Sequence, residues 1–183
     1  AAFQRAISYG FVDRTAQKVE ALQEFTRTYP KSIYRDDALY ELGNTYVSLN
    51  KTTDAERVYE QLLREQPKSS FVAKTLMKKA LLLDNAGKSN DALALFKRVA
   101  KDFPGTSEAL QAVTSAKLIY IDQGKVNDYA NWVATLDFVQ VEDAELDDAT
   151  YQAAEQPYLE NKTRQATTRF EEYLAQFPNG QHA

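Results

Sequence analysis

The sequence has no cysteine, which removes a disulfide framework, a thiolate metal site and a thiol nucleophile together. Its only histidine is His182, so neither a Ser-His-Asp array nor a histidine-ligated zinc can be assembled from the chain's interior. Glycine is scarce, at six scattered residues, and no glycine-rich phosphate loop can be drawn from them. No apolar run reaches the roughly 18 to 20 residues that a bilayer span needs, and residues 1–10 lack a basic start followed by an apolar stretch. Positive charge is not in excess: 22 Lys and Arg face 26 Asp and Glu, interspersed, with a net of −4 and no basic patch for a nucleic acid backbone. Adjacent carboxylates such as Asp36 and Asp37, or Glu171 and Glu172, point in different directions from a helix and make no acid–base pair. The expectation is a chain with no catalytic residue, no cofactor and no metal site, hence not an enzyme.

What the sequence does have is a ruler. Four of its five prolines, Pro30, Pro67, Pro104 and Pro178, are spaced by 37, 37 and 74 residues, and the skipped mark falls on Val141. The surrounding words recur as YPKS, QPKS, FPGT and FPNG. A period of this length implies stacked units instead of one closed core. Units are expected at about 1–30, 31–67, 68–104, 105–141 and 142–178, as a single segment, with 179–183 starting a further truncated unit.

Within residues 31–67, Ala38, Leu39, Leu42, Tyr46 and Leu49 recur at helical spacing, and so do Ala55, Val58, Tyr59, Leu62 and Leu63. Two amphipathic helices follow, with Asn50 at a left-handed turn, Thr52 or Thr53 as N-cap, Pro67 as terminator and Ser69 or Ser70 capping the next helix. Shifting by 37 keeps the chemistry of the columns. Asn50, Gly87, Gly124 and Asn161 form the turn, each followed by a lysine. Gly43, Ala80, Lys117 and Ala154 form one column, while Tyr59, Phe96, Val133 and Phe170 form the large apolar one.

The series Leu39, Leu42-Gly43, Tyr46, Ala55, Tyr59, Leu62 and Pro67 resembles the tetratricopeptide repeat family over nearly the whole chain. That resemblance implies an all-α fold, a right-handed α-solenoid of helix-turn-helix repeats, here about five units with a 37-residue period. The family norm is shorter by three residues, which are assigned to one more turn at the start of each first helix. The long unit preceded by Pro-x-Ser or Pro-x-Thr is similar to a subgroup found in bacterial envelope proteins, such as the periplasmic coordinator of the Tol system and the outer-membrane assembly lipoprotein. A periplasmic or outer-membrane-associated location is therefore expected, with a cytoplasmic one as the alternative. Any lipid anchor lies outside these residues, and the chain is expected to be monomeric.

The fourth and fifth units depart most from the rule. Tyr129 stands where the helix pair calls for alanine, and Trp132, Leu136, Phe138 and Val139 read as an apolar second helix that ends without proline. The acidic run Glu142, Asp143, Glu145, Asp147 and Asp148 lacks the ligand order of a calcium loop and reads as a helix start, where negative charge is favoured. Pro157 lies inside a first helix, so a kink is expected near 153–157, while His182 is expected at a frayed end.

In the family, exposed residues of the first helices contact peptides. Carried over by column, the resemblance implies Phe3 and Ile7 in the first unit, and Asp37, Tyr40, Asn44, Val47 and Ser48 in the second. The third gives Lys74, Met77, Leu81, Asp84 and Asn85; the fourth, Gln111, Thr114, Leu118, Ile121 and Asp122; the fifth, Tyr151, Glu155 and Tyr158. The columns that clamp a chaperone's terminal carboxylate in the family read Phe3, Ile7, Asn44, Met77 and Leu81 here, of which Asn44 alone fits, so the resemblance implies that the clamp is absent and an acidic chaperone tail is a poor ligand. Two readings stay open: an interaction module whose protein or peptide partner has no stated identity, or an architectural spacer in which Tyr40, Met77 and Leu81 pack internally. A regulatory enzyme domain would need chemistry from flanking sequence.

Overall fold

The computed structural model describes residues Ala1–Ala183 and is entirely helical. Its ten helices are α1 (Ala2–Phe11), α2 (Thr15–Thr28), α3 (Arg35–Ser48), α4 (Thr52–Glu65), α5 (Val72–Asn85), α6 (Ser89–Asp102), α7 (Ser107–Asp122), α8 (Val126–Val133), α9 (Asp143–Leu159) and α10 (Thr163–Gln176). Odd-numbered helices are the first of each pair and even-numbered ones the second. No helix is long and apolar enough to cross a membrane.

The turn column sets the pairs. Its backbone is left-handed at Asp13, Asn50, Gly87, Gly124 and Asn161, with φ between 55° and 73°, so the column includes Asp13 one period earlier than the Asn and Gly pattern showed. Only Gly enters that region freely, and Asn or Asp do so at small cost. After four of the five turns the next residue donates its amide across the corner, Arg14 to Tyr9 at 2.9 Å, Lys51 to Tyr46 at 2.9 Å, Lys125 to Tyr120 at 2.8 Å and Lys162 to Pro157 at 2.8 Å. These bonds satisfy carbonyls that a helix end would otherwise leave open.

The chain divides into two compact units, Ala1–Gly87 and Lys88–Ala183. In the first, α3 and α4 pack closely because Gly43 has no side chain: a Cβ there would lie under 3 Å from three carbons of the Tyr59 ring. Tyr59, Leu62, Leu22 and Leu39 are fully buried. Each such side chain contributes about 1.5–3 kcal/mol on leaving water. Arg35 joins three helices, its guanidinium donating to the Thr26 carbonyl of α2 and, at 2.5 Å, to the Glu65 carboxylate of α4. Thr75 occupies a column that is alanine at 38, 112 and 149, and its buried hydroxyl has no hydrogen-bond partner.

In the second unit Tyr129 is buried, with its ring 6.1 Å from Tyr120 and 6.3 Å from Trp132. The Lys97 ammonium lies 5.4 Å above the Trp132 ring and donates to the Tyr120 hydroxyl at 2.9 Å. The second helix expected to run through Leu136, Phe138 and Val139 is shorter than that, because α8 stops at Val133. The Thr135 hydroxyl donates to the Trp132 carbonyl at 2.6 Å, competing with the helical ladder. Leu136, Phe138, Val139 and Val141 still pack on the core of Tyr120, Tyr129 and Val133, from irregular backbone.

Other local expectations are corrected. Lys51, not a threonine, is the N-cap of α4 and supplies no side-chain cap. Ser69 accepts the Phe71 amide at 3.1 Å without capping α5. The true side-chain cap is Thr106, which accepts from the Ala109 amide at 3.2 Å. The expected lengthening of the first helices is seen in α7 and α9, of 16 and 17 residues, but the extra residues of the period do not lengthen α3 or α5, which have 14 residues like α4 and α6. They form two successive turns instead: Ser32 amide to Tyr29 carbonyl, then Arg35 amide to Ser32 carbonyl, with the same pattern at Ser69 and Val72.

Helix α9 runs continuously through Pro157. Proline has no N–H, so the Ala153 carbonyl four residues earlier loses its helical donor. Arg169 of α10 replaces it, donating from Nη1 at 2.7 Å, and its Nη2 reaches the Gln123 carbonyl at 3.3 Å. Gly124 leaves room for that guanidinium, since a Cβ would lie under 3 Å from three of its atoms. His182 is not frayed. Its ring stacks on Tyr151 with centroids 4.2 Å apart, and its Nε2 is 2.8 Å from an Asp148 carboxylate oxygen.

Candidate functional site

The first helices place the three expected columns at different depths. In the column of Phe3, Tyr40, Met77, Thr114 and Tyr151, whose members are 37 residues apart, the aromatic residues are stacked on the linker that follows their own pair. Phe3 stacks on Tyr34 at 5.4 Å, Tyr40 on Phe71 at 4.6 Å, and Tyr151 on His182 at 4.2 Å. Each pair is separated by 31 residues, so the stack recurs at the first, second and fifth marks of the period, while Met77 and Thr114 face no ring at that spacing. Phe3 and Met77 are buried, Tyr40 and Tyr151 half-buried, and Thr114 exposed with its hydroxyl on the Leu110 carbonyl. Stacking and burial withdraw Phe3 and Met77 from any free surface.

The next column lies one turn along. Ile7 is half-buried, and Asn44 is held by its Oδ1, which accepts the Tyr59 hydroxyl at 2.8 Å. Burial, the largest cause, together with the charges on Tyr40 and Glu41, raises the Tyr59 pKa, so the phenol stays a donor. Leu81 and Leu118 are 40% and 63% exposed. The last column gives half-buried Val47 and Tyr158, which is 64% exposed. Within the second unit, α7 and α9 pack together, so Leu118, Ile121 and Asp122 of α7 stand one period from Glu155, Tyr158 and Leu159 of α9. Ile121 is half-buried against Val126, Ala149 and Ala153.

Leu159, 63% exposed, and Leu110, 50% exposed, extend this apolar strip and were not anticipated from the columns. Leu159 shares its column with Asp122, Asn85 and Ser48, whose polarity hides it. Asp37 has its pKa raised, first by burial and then by the Asp36 carboxylate beside it. Asp147 is lowered, first by the Gln181 amide donating at 2.6 Å and then by the Tyr173 hydroxyl at 2.7 Å. These bonds bind residues 177–183 back onto α9. No group of three or more His, Cys, Asp or Glu is placed to hold a metal ion. A cleft of about 540 Å³ in the second unit is lined by Ala153, Ala154, Asn127, Gln176 and the Arg169 side chain.

The pattern of the tetratricopeptide repeat matches residues 37–69 and 74–106. No curated protein sequence matches the chain. Among solved structures, a tetratricopeptide repeat protein from Parabacteroides merdae is 18% identical with a TM-score of 0.64, over 97% of this chain and 68% of that one. A Podosopora anserina protein with nearly identical TPR-like repeats is 16% identical with a TM-score of 0.55, over 98% of this chain and 95% of that one. MamA of AMB-1 has the same identity and TM-score, over 94% and 95%. At these identities the likeness shows the fold alone.

Proposed function

We propose that this chain, a carrier of tetratricopeptide repeats at 37–69 and 74–106, is a protein-interaction module that holds a peptide or helix of a partner against its first helices. Such repeats generally serve as non-enzymatic interaction modules. The observation that carries the reading is the exposure of Leu118, Tyr158 and Leu159, at 63%, 64% and 63%, on α7 and α9, whose Val113, Ile119, Ala149 and Ala153 are buried. Apolar anchors on a helical face are what a bound segment buries. The test is capture of a partner by the wild-type chain and by Leu118→Asp/Tyr158→Asp, with circular dichroism confirming equal helix content. Undiminished capture by the folded variant sinks the reading.

The spacer reading also has an observation in its favour, since Phe3, Tyr40 and Tyr151 stack inside the protein. It predicts that no partner is captured by either chain. The proposed location is the bacterial periplasm or outer membrane, supported by the resemblance of the long repeat to envelope proteins. Fractionation of cells expressing the natural protein tests this, and recovery in the cytoplasmic fraction contradicts it.

A further inference from the structure

The charge of the chain is unevenly placed. Residues 1–87 carry 13 Lys and Arg against 11 Asp and Glu, while residues 88–183 carry 9 against 15, a net of −6. That −6 resides on two helices. Together α7 and α9 hold seven carboxylates and one amine, Lys117, whereas α6, α8 and α10 hold five of each sign and the connecting segments three of each. Glu108, Asp143 and Glu145 stand in first helical turns, where negative charge is favoured without any partner, whereas Asp122 and Glu155 lie in the C-terminal parts of α7 and α9, where the helix gives no such reason for them. The first unit does not share the bias: α1, α3 and α5 carry five bases and four acids.

Some of these carboxylates have work inside the protein. Glu145 pairs with Lys117 at 2.9 Å, Asp147 takes Tyr173 and Gln181, and Asp148 faces His182. Asp122 and Glu155 have no hydrogen-bond or ion-pair partner. They alternate with the exposed apolar residues: Leu118 stands one period from Glu155, and Asp122 one period from Leu159. An apolar face interrupted by unpaired carboxylates complements a segment that carries apolar and cationic side chains in the same alternation.

We propose that the α7–α9 face of the second unit binds a cationic amphipathic segment of a partner protein, seating its apolar side chains on Leu118, Tyr158 and Leu159 and its Lys or Arg on Asp122 and Glu155. The proposal rests on the interaction-module reading above and adds the partner's chemistry. Its probes are three fluorescein-labelled helical peptides of about 14 residues: Leu on one face with Lys on the other, the same with Glu for Lys, and the first with Ser for Leu. Binding to the full chain is followed by fluorescence anisotropy at low and high salt.

The Leu/Lys peptide is expected to bind about tenfold or more tighter than either control, with the preference shrinking as salt rises. Asp122→Lys/Glu155→Lys should weaken it about tenfold, and Leu118→Ser should weaken it as well. Glu171→Lys/Glu172→Lys makes the same charge change on α10 and should leave affinity within about twofold, which separates the face from bulk attraction. Equal weakening by both charge variants overturns the proposal, and so does a Leu/Glu peptide that binds as well as Leu/Lys. If the three peptides fail while a cross-linker at Leu118 still captures a protein, the interaction reading stands and the cationic class falls. Sedimentation velocity covers the remaining occupant: a self-associating chain that the peptide dissociates identifies a second copy and overturns a separate partner.

Discussion

Replacing Arg169 by Met should destabilise the second unit by about 2 kcal/mol, and replacing Pro157 by Ala should remove much of that cost. Arg169 donates to the Ala153 carbonyl at 2.7 Å and to the Gln123 carbonyl at 3.3 Å. A hydrogen bond from a charged donor is worth about 1.5–3 kcal/mol, and the shorter bond supplies most of it here. Methionine keeps the aliphatic stem, so packing changes little. In Pro157→Ala the new amide restores the helical partner of Ala153, and loss of Arg169 then costs only the weaker Gln123 contact, roughly 1 kcal/mol or less. The double-mutant cycle should therefore show a coupling of about 1 kcal/mol or more. Trp132 is the only tryptophan and lies in this unit, so its fluorescence during urea unfolding reports the unit directly. Additive effects would show that Arg169 does not stand in for the missing proline donor.

Gly43→Ala drives a methyl into the Tyr59 ring and should cost about 1–3 kcal/mol by urea unfolding of the first unit; an unchanged midpoint contradicts the close packing of α3 on α4. Thr75→Val removes a buried hydroxyl without a partner at constant shape and should raise stability by about 1 kcal/mol in the same assay. The Glu65 carboxyl is raised by its partial burial but lowered more by the Arg35 hydrogen bond and charge, so its folded pKa lies below the ordinary 4.5. Its contribution is complete above that ordinary value and is lost as pH falls through the lowered one. Acid titration of stability should accordingly be flatter in Glu65→Gln, and parallel curves would refute the assignment.

The turn column and the large apolar column were legible because each rests on a steric rule that recurs every 37 residues: a left-handed corner at Asn50 or Gly87, and a buried ring at Tyr59, facing Gly43, or at Phe96. Caps were less legible. Lysine precedes four of the five second helices and arginine the other, and the threonines inside their first turns mislead a reading based on N-cap preference. The Arg169 contact left a trace that went unread, a charged residue in the column of Val58 and Trp132, twelve residues after a helical proline. The columns expected to bind lie at different depths, which their spacing along the chain did not show. Phe3 and Met77 share a column with exposed Thr114, and the linker ring that stacks on Phe3 is a contact 31 residues away that no helical period reveals. Leu136 and Phe138 were read as part of an apolar second helix; they pack on the core, but from irregular backbone beyond the end of α8 at Val133, because apolar character does not fix helical angles.

The central claim, that the exposed first-helix residues form the working face, is tested most directly by site-specific photo-cross-linking. A photoreactive residue is placed singly at Leu118, at Tyr158 and, on α10, at Thr167, and the adducts formed with partner protein are compared by mass. Adducts from positions 118 and 158 with none from 167 are the predicted result. Equal adducts from all three, or adducts from 167 alone, would contradict it.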